Sequence, residues 1–156
     1  MITVRPATQN DIPALMALLV QVNMVHHNGR PDLFKGPTTK YTADELAAIL
    51  ADDETPVFVG VDESGRVLGH GFCVLQHSGG RLMAEHDTLY IDDICVDESA
   101  RGLGAGRAVY DHIVEYARQR GCYNVTLNVW TCNPGAMRFY EKLGMKPYRV
   151  GMETIL

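Results

Sequence analysis

Three glycines fall within five residues, Gly102-Leu103-Gly104-Ala105-Gly106, between a stretch that reads as a strand and one that reads as an amphipathic helix. Residues this small let an anion come close to the backbone, and the unpaired amides and dipole of a helix start favour phosphate. Spacing narrows the choice of phosphate ligand. A P-loop counted from Gly102 requires glycine and then lysine where Arg107 and Ala108 stand. A dinucleotide fingerprint built on Gly102 and Gly104 needs its third glycine at the same arginine, so both nucleotide motifs fail there. A turn that merely reverses the chain sharply is the plainer reading of these glycines taken alone.

The other reactive side chains carry weaker patterns. Cys73, Cys95, Cys122 and Cys132 form no C-x-x-C pair and no zinc-like Cys/His spacing, so no metal is expected. Cys73 and Cys95 lie in strand-like runs, where a thiol behaves as a small core hydrophobe. Asp92 and Asp93 are adjacent acids in another such run. Successive strand residues point to opposite faces, so at most one of them faces a given cleft unless a bulge intervenes. In a regular strand Tyr90, Asp92, Ile94 and Val96 share one face.

These groups must be positioned by a chain of 156 residues, enough for one domain over residues 1–156. Its 46% apolar and 21% charged composition is that of an ordinary globular chain, with glycine, 15 residues, as the one excess. The longest apolar run, Ala14 to Val20, is far short of a membrane span, and the start Met1-Ile2-Thr3-Val4-Arg5-Pro6 lacks the features of a signal peptide. A cytoplasmic setting with reduced thiols, and no membrane partner, is expected. The net charge of −5 shows no basic patch for nucleic acid and suits a cationic small molecule.

The pattern predicts a strand over 2–6 and then a helix capped at Asn10, with Ile12, Leu15, Met16, Leu19 and Val20 as its buried face. A loop is expected over 26–41, followed by a second helix announced by the capping box Thr42 and Glu45. Strands follow over 56–62, 67–76 and 88–96. The glycine turn opens a helix that runs to about Arg120, with Gly121 just past its end. Residues 123–130 read as a strand, 134–143 as a helix and the tail from Pro147 to Leu156 as extended. The order predicts an α+β architecture with a mixed sheet.

Arg101-Gly102-Leu103-Gly104-Ala105-Gly106 resembles the R/Q-x-x-G-x-G/A signature of the GNAT superfamily of acetyl-CoA-dependent N-acetyltransferases. Asn133-Pro134-Gly135-Ala136-Met137-Arg138-Phe139-Tyr140, followed by Leu143-Gly144, resembles the second signature, and Leu89 to Val96 looks like the fourth strand of that family. The opening Val4-Arg5-Pro6-Ala7-Thr8 with Asp11 also looks like a common family start. The likeness implies a three-layer α/β arrangement, a mixed, mostly antiparallel central sheet flanked by helices on both faces.

It also implies a site. Ile94, Cys95 and Val96 would run beside the pantetheine arm of acetyl-CoA, amides from Arg101, Gly102, Leu103, Gly104, Ala105 and Gly106 would hold its pyrophosphate with help from Arg107, and Asn133 would lie near the pantetheine. Tyr140 would be the general acid beside the coenzyme sulfur. Asp92 would be the base or amine anchor, while Asp93 would act through water or hold the substrate cation. His27 and Phe34, after the first helix, would line the acceptor pocket. The reaction implied is direct transfer of acetyl to a primary amine such as a polyamine, amino acid or aminoglycoside, in a possible homodimer. A peptide N-terminus or protein lysine is an alternative acceptor, and a non-catalytic acetyl-CoA sensor is the rival class.

Overall fold

Five strands and four helices make up the protein, whose structure is a computed structural model describing all residues from Met1 to Leu156. In chain order they are β1 (Thr3–Pro6), α1 (Ile12–Gly29), α2 (Ala43–Leu50), β2 (Val57–Val61), β3 (Val67–Ser78), β4 (His86–Val96), α3 (Ala105–Gln119), β5 (Asn124–Leu127) and α4 (Pro134–Lys142). The strands form one sheet in the order β1-β2-β3-β4-β5, antiparallel as far as β4 and parallel between β4 and β5. This is the mixed, mostly antiparallel sheet that the likeness to the GNAT superfamily implies.

Every residue of β2 is buried, as expected for a strand covered on both faces. Val57, Val59 and Val61 join Leu15 and Leu19 of α1, Leu46 of α2 and Phe72 of β3. On the opposite face Phe58 packs with Cys73, Leu89, Ile91 and the α3 residues Val109, Ile113 and Ala117. Side chains such as Val109 and Ile113, fully withdrawn from water, contribute about 1.5–3 kcal/mol each. The helices thus cover both faces of the sheet, and the architecture is three-layered.

Local departures from the expected elements have simple causes. The helix α1 does not end before His26 but runs through His26 and His27 to Gly29. No breaker stands earlier than Gly29, and Pro31 forces the preceding Arg30 out of helical backbone, at φ −139° and ψ 71°. Its cap is Asp11 rather than Asn10, because Gln9–Asp11 forms a short 3-10 turn first. Val20 is 36% exposed while Leu18 is buried, so the core face centres on Leu15, Leu18 and Leu19, with Ile12 and Met16 half-buried at its margin. Strand β5 is only four residues long, against the eight expected over 123–130. The tail from Pro147 onward joins no sheet, and its Tyr148, Val150, Met152 and Ile155 are exposed.

The predicted N-cap Thr42 accepts a hydrogen bond from the Glu45 amide at 3.2 Å. Gly121 has φ +74° just beyond α3, which a glycine adopts without strain.

Candidate active site

Strand β4 carries the decisive irregularity. Phe72 of β3 pairs with Asp93, but Cys73 pairs with Ile91, which leaves Asp92 as the extra residue of a β-bulge. The bulge resets the alternation of the strand. Leu89 and Ile91 face α3 before it, and Ile94 and Val96 pack toward that side after it. The single face expected for Tyr90, Asp92, Ile94 and Val96 is therefore not present. Asp92 and Asp93 instead enter one cleft together, lined also by Val22, His26, Asn128, Trp130 and Tyr140.

The cleft exists because β4 and β5 part company. They are paired only from Thr88↔Asn124 to Ile91↔Leu127, and beyond Ile91 the two chains splay. From Asp92 to Val96 the β5-facing edge of β4 has no strand partner. Such an edge offers backbone groups to a linear ligand, which fits the resemblance-based expectation for Ile94 and Val96. Cys95 alternates away from that side and brings its Sγ to 3.7 Å from the Leu18 carbonyl oxygen. Burial pushes its thiol up to about 12.

The two carboxylates have different partners. Asp92 Oδ2 accepts from Lys40 Nζ at 2.6 Å and from the Tyr41 hydroxyl at 3.0 Å. Burial works against the Lys40 charge, yet the Asp92 hydrogen bond and charge outweigh it and raise its pKa. Burial, and then the Asp92 charge, raises Tyr41. Asp93 Oδ2 lies 2.6 Å from Nε2 of His70, a ring with no exposed surface.

Tyr140 is 8% exposed on α4. Burial, followed by the nearby Asp93 charge, raises its phenol well above its ordinary value and keeps the proton on it. Helix α4 is aimed by its cap, since Asn133 Oδ1 accepts from the Ala136 amide at 3.1 Å while Asn133 lines the cleft.

A run of unsatisfied donors lies at the glycine turn. No amide from Arg101 to Arg107 finds an acceptor in the protein, and Ala108, bonded to the Gly104 carbonyl at 3.0 Å, is the first that does. Gly102 and Gly104 have φ of +81° and +87°, and a Cβ at either would meet nothing within 4 Å. The left-handed backbone requires glycine there, and the space above it is open to a ligand. Gly106 is glycine for another reason: a Cβ would come within 3.1 Å of Phe139 and 3.2 Å of Val96, so α3 sits close to both. These seven amides fit a pyrophosphate. Arg107 is exposed and paired with Asp111 at 3.3 Å. A hollow of about 490 Å³ on the far side of the turn, lined by Met1, Arg66 and Leu103, holds neither the two carboxylates nor Tyr140.

One wall of the cleft is aromatic. His26 stacks on Phe34 with ring centroids 5.0 Å apart, and Phe34 meets the edge of Trp130 at 5.3 Å. His27 is 2.6 Å from the Phe34 carbonyl oxygen through Nδ1 and ties the end of α1 to the following loop.

Residues 23–145 match the model of the acetyltransferase (GNAT) family. The chain belongs to the GNAT family. Within it, the chain is 36% identical over 110 residues to glucosamine 6-phosphate N-acetyltransferase 1 of Oryza sativa subsp. japonica, covering 70% of this chain and 62% of that one. An uncharacterized N-acetyltransferase of Methanocaldococcus jannaschii is 31% identical over 148 residues, covering 95% of this chain and 62% of its own. The chain thus spans about six tenths of the length of these curated relatives. A crystal structure of a Bacillus halodurans protein superposes with a TM-score of 0.94 at 30% identity, over 99% of both chains.

Against the GNAT signatures, the structure brings Asp92, Asp93, Ile94, Asn133 and Tyr140 to one cleft. It places the Arg101–Arg107 amides at the start of α3 and Phe34 in the aromatic wall, and it puts His26 rather than His27 on the cleft. Sequence reasoning missed His70, Lys40 and Tyr41. Lys40 and Tyr41 act across 52 and 51 residues of chain, a distance no local spacing reports. The one available signal for His70 was a histidine amid the apolar run Val67 to Leu75.

Proposed function

We propose that this protein is an N-acetyltransferase that moves the acetyl group of acetyl-CoA directly to a primary amine. The observation carrying this reading is that Asp92, Asp93 and Tyr140 line one cleft formed where β4 and β5 splay. Acetyl-CoA, when bound, supplies an activated thioester. Its pyrophosphate would lie on the amides of Arg101 to Arg107, with its arm along Ile94 to Val96 and past Asn133.

The chain's own groups do the rest. The carboxylates hold the acceptor's ammonium in the cleft, and Lys40 marks how a primary ammonium reaches Asp92. Asp92 is the amine anchor or base. Loss of a proton from the ammonium, to Asp92 or to water, frees the amine lone pair to attack the carbonyl carbon; a C–N bond forms and the C–S bond breaks, the sulfur leaving with the bonding pair as thiolate. Tyr140, protonated by burial, donates a hydrogen bond to the departing thiolate. No covalent enzyme intermediate is required.

The acceptor is a cationic small molecule, with polyamines, amino acids and aminoglycosides as the class. The Oryza relative, named for an amino sugar phosphate, supports an amine on a small polar carrier. The same reading sets the protein in a reducing cytoplasm, supported by four free cysteines, and as a homodimer, supported by the exposed apolar side chains of the tail.

Replacement of Tyr140 tests the assignment. Tyr140→Phe should lower kcat on the order of 10²-fold while acetyl-CoA affinity by calorimetry stays within a few-fold. Unchanged turnover would remove Tyr140 from the mechanism.

A further inference from the structure

The most heavily buried titratable side chain beside the cleft is His70, which is 0% exposed on β3. Its Nε2 lies 2.6 Å from Asp93 Oδ2, and its Nδ1 is the one buried side-chain polar atom with no hydrogen-bond partner. A carboxylate only accepts, so the proton belongs on Nε2 and Nδ1 is left as a bare lone pair. The opposite tautomer would bury an unsatisfied N–H and turn a lone pair toward the carboxylate, which costs more. The ring is held in plane by the edge of Phe72, centroid to centroid 4.9 Å at 85°.

Asp93 has one further free position. Its Oδ1 takes no hydrogen bond from the protein, yet it is not among the buried unpartnered atoms, so it is open to the cleft that Asp93 lines. Asp92 Oδ1 is likewise free of protein donors, but Asp92 Oδ2 is held by the Lys40 ammonium and the Tyr41 hydroxyl, so Asp92 is the carboxylate already engaged with a cation, whereas the Asp93 partner is a buried ring.

We infer that His70 is a positioning residue for Asp93: its buried Nε2–H fixes Oδ2 so that Oδ1 receives the proton of the acceptor amine. The inference rests on the acetyltransferase reading and divides the labour within it. As the amine nitrogen bonds to the carbonyl carbon and the C–S bond breaks, the N–H proton passes to Asp93 Oδ1, and the sulfur leaves as thiolate beside Tyr140. Asp92 holds cationic charge. His70 touches no substrate and neither gains nor loses a proton overall. Its orphan nitrogen is the cost of a rigid, neutral donor behind the carboxylate.

Two substitutions separate positioning from mere packing. His70→Leu keeps the volume and removes the donor; His70→Gln keeps an N–H of similar reach. At saturating acetyl-CoA, with coenzyme thiol release as the assay, His70→Leu should lower kcat roughly tenfold or more while the amine KM and acetyl-CoA affinity stay within about threefold. His70→Gln should recover kcat to within a few-fold of wild type. Equal kcat in the Leu variant, or equal losses in both variants that track their melting temperatures, would overturn the inference.

Nitrogen-15 NMR of the imidazole provides a readout independent of turnover. It should show His70 protonated at Nε2 and bare at Nδ1, and a ring protonated at Nδ1 would also overturn the inference. A wild type that shows this tautomer but turns over no amine would instead count against the acetyltransferase reading, leaving the His70–Asp93 pairing in place.

Discussion

Lys40 presents its ammonium to Asp92 at 2.6 Å while keeping 49% of its side chain exposed. It therefore occupies the carboxylate that a cationic acceptor would seek, and it is a tethered competitor. An exposed ion pair of this kind is worth about 0–1 kcal/mol, little enough for a substrate to displace. Lys40→Ala should lower KM for a cationic amine by a few-fold and leave kcat nearly unchanged. Steady-state kinetics checks this, and a raised KM would mean that Lys40 helps the acceptor instead. At this scale the sequence was partly legible. Asp92 and Asp93 could be named as adjacent acids in a strand-like run, and Tyr140 through the likeness of residues 133–144 to a GNAT signature. His70, Lys40 and Tyr41 could not, since their roles depend on which strand or loop lies next to β4.

At the scale of elements, the glycine turn and the bulge set the geometry. Gly104 caps α3 with φ +87°, a backbone that other residues adopt at a cost of about 1–2 kcal/mol. Gly104→Asp would add that strain and a negative charge beside the unpaired amides. Acetyl-CoA affinity, measured by calorimetry, should fall at least tenfold; an unchanged affinity would move the pyrophosphate away from the turn. The turn was readable because its spacing is local. The bulge at Asp92 was not, because an extra residue in β4 is defined only by the register of β3 opposite it.

The opening of the chain is also held element to element. Arg5 of β1 donates to both oxygens of Asp11, at 2.8 and 2.9 Å, and the Thr8 amide adds a third bond at 2.7 Å. The Arg5 hydrogen bonds hold the Asp11 carboxyl below its ordinary 3.8, against the opposing effect of burial. A lowered carboxyl stabilises the fold above its unfolded value and loses that contribution as pH falls through the folded one. Asp11→Asn should therefore reduce stability at pH 7, by about 1–3 kcal/mol for the charged hydrogen bonds, and flatten the loss of stability below pH 4. Urea unfolding at several pH values measures both effects.

Over the whole molecule, the fold class followed from an order of elements that alternating and helical periodicities made plain. What the sequence withheld was the length of β5. Residues 123–130 alternate like a full strand, yet only Asn124–Leu127 pairs with β4. The early parting of these two strands opens the cleft, and His26 and Trp130 on its wall join Phe34 in an aromatic cluster. Under the proposed function, acetyl passes directly from coenzyme to amine across that cleft. Incubation of the protein with acetyl-labelled acetyl-CoA and a panel of cationic amines tests it most directly. Label should leave the coenzyme only when a suitable amine is present and be recovered on the amine nitrogen, with none on the protein. Label that stays on the coenzyme with every amine, or that accumulates on the protein itself, would contradict it.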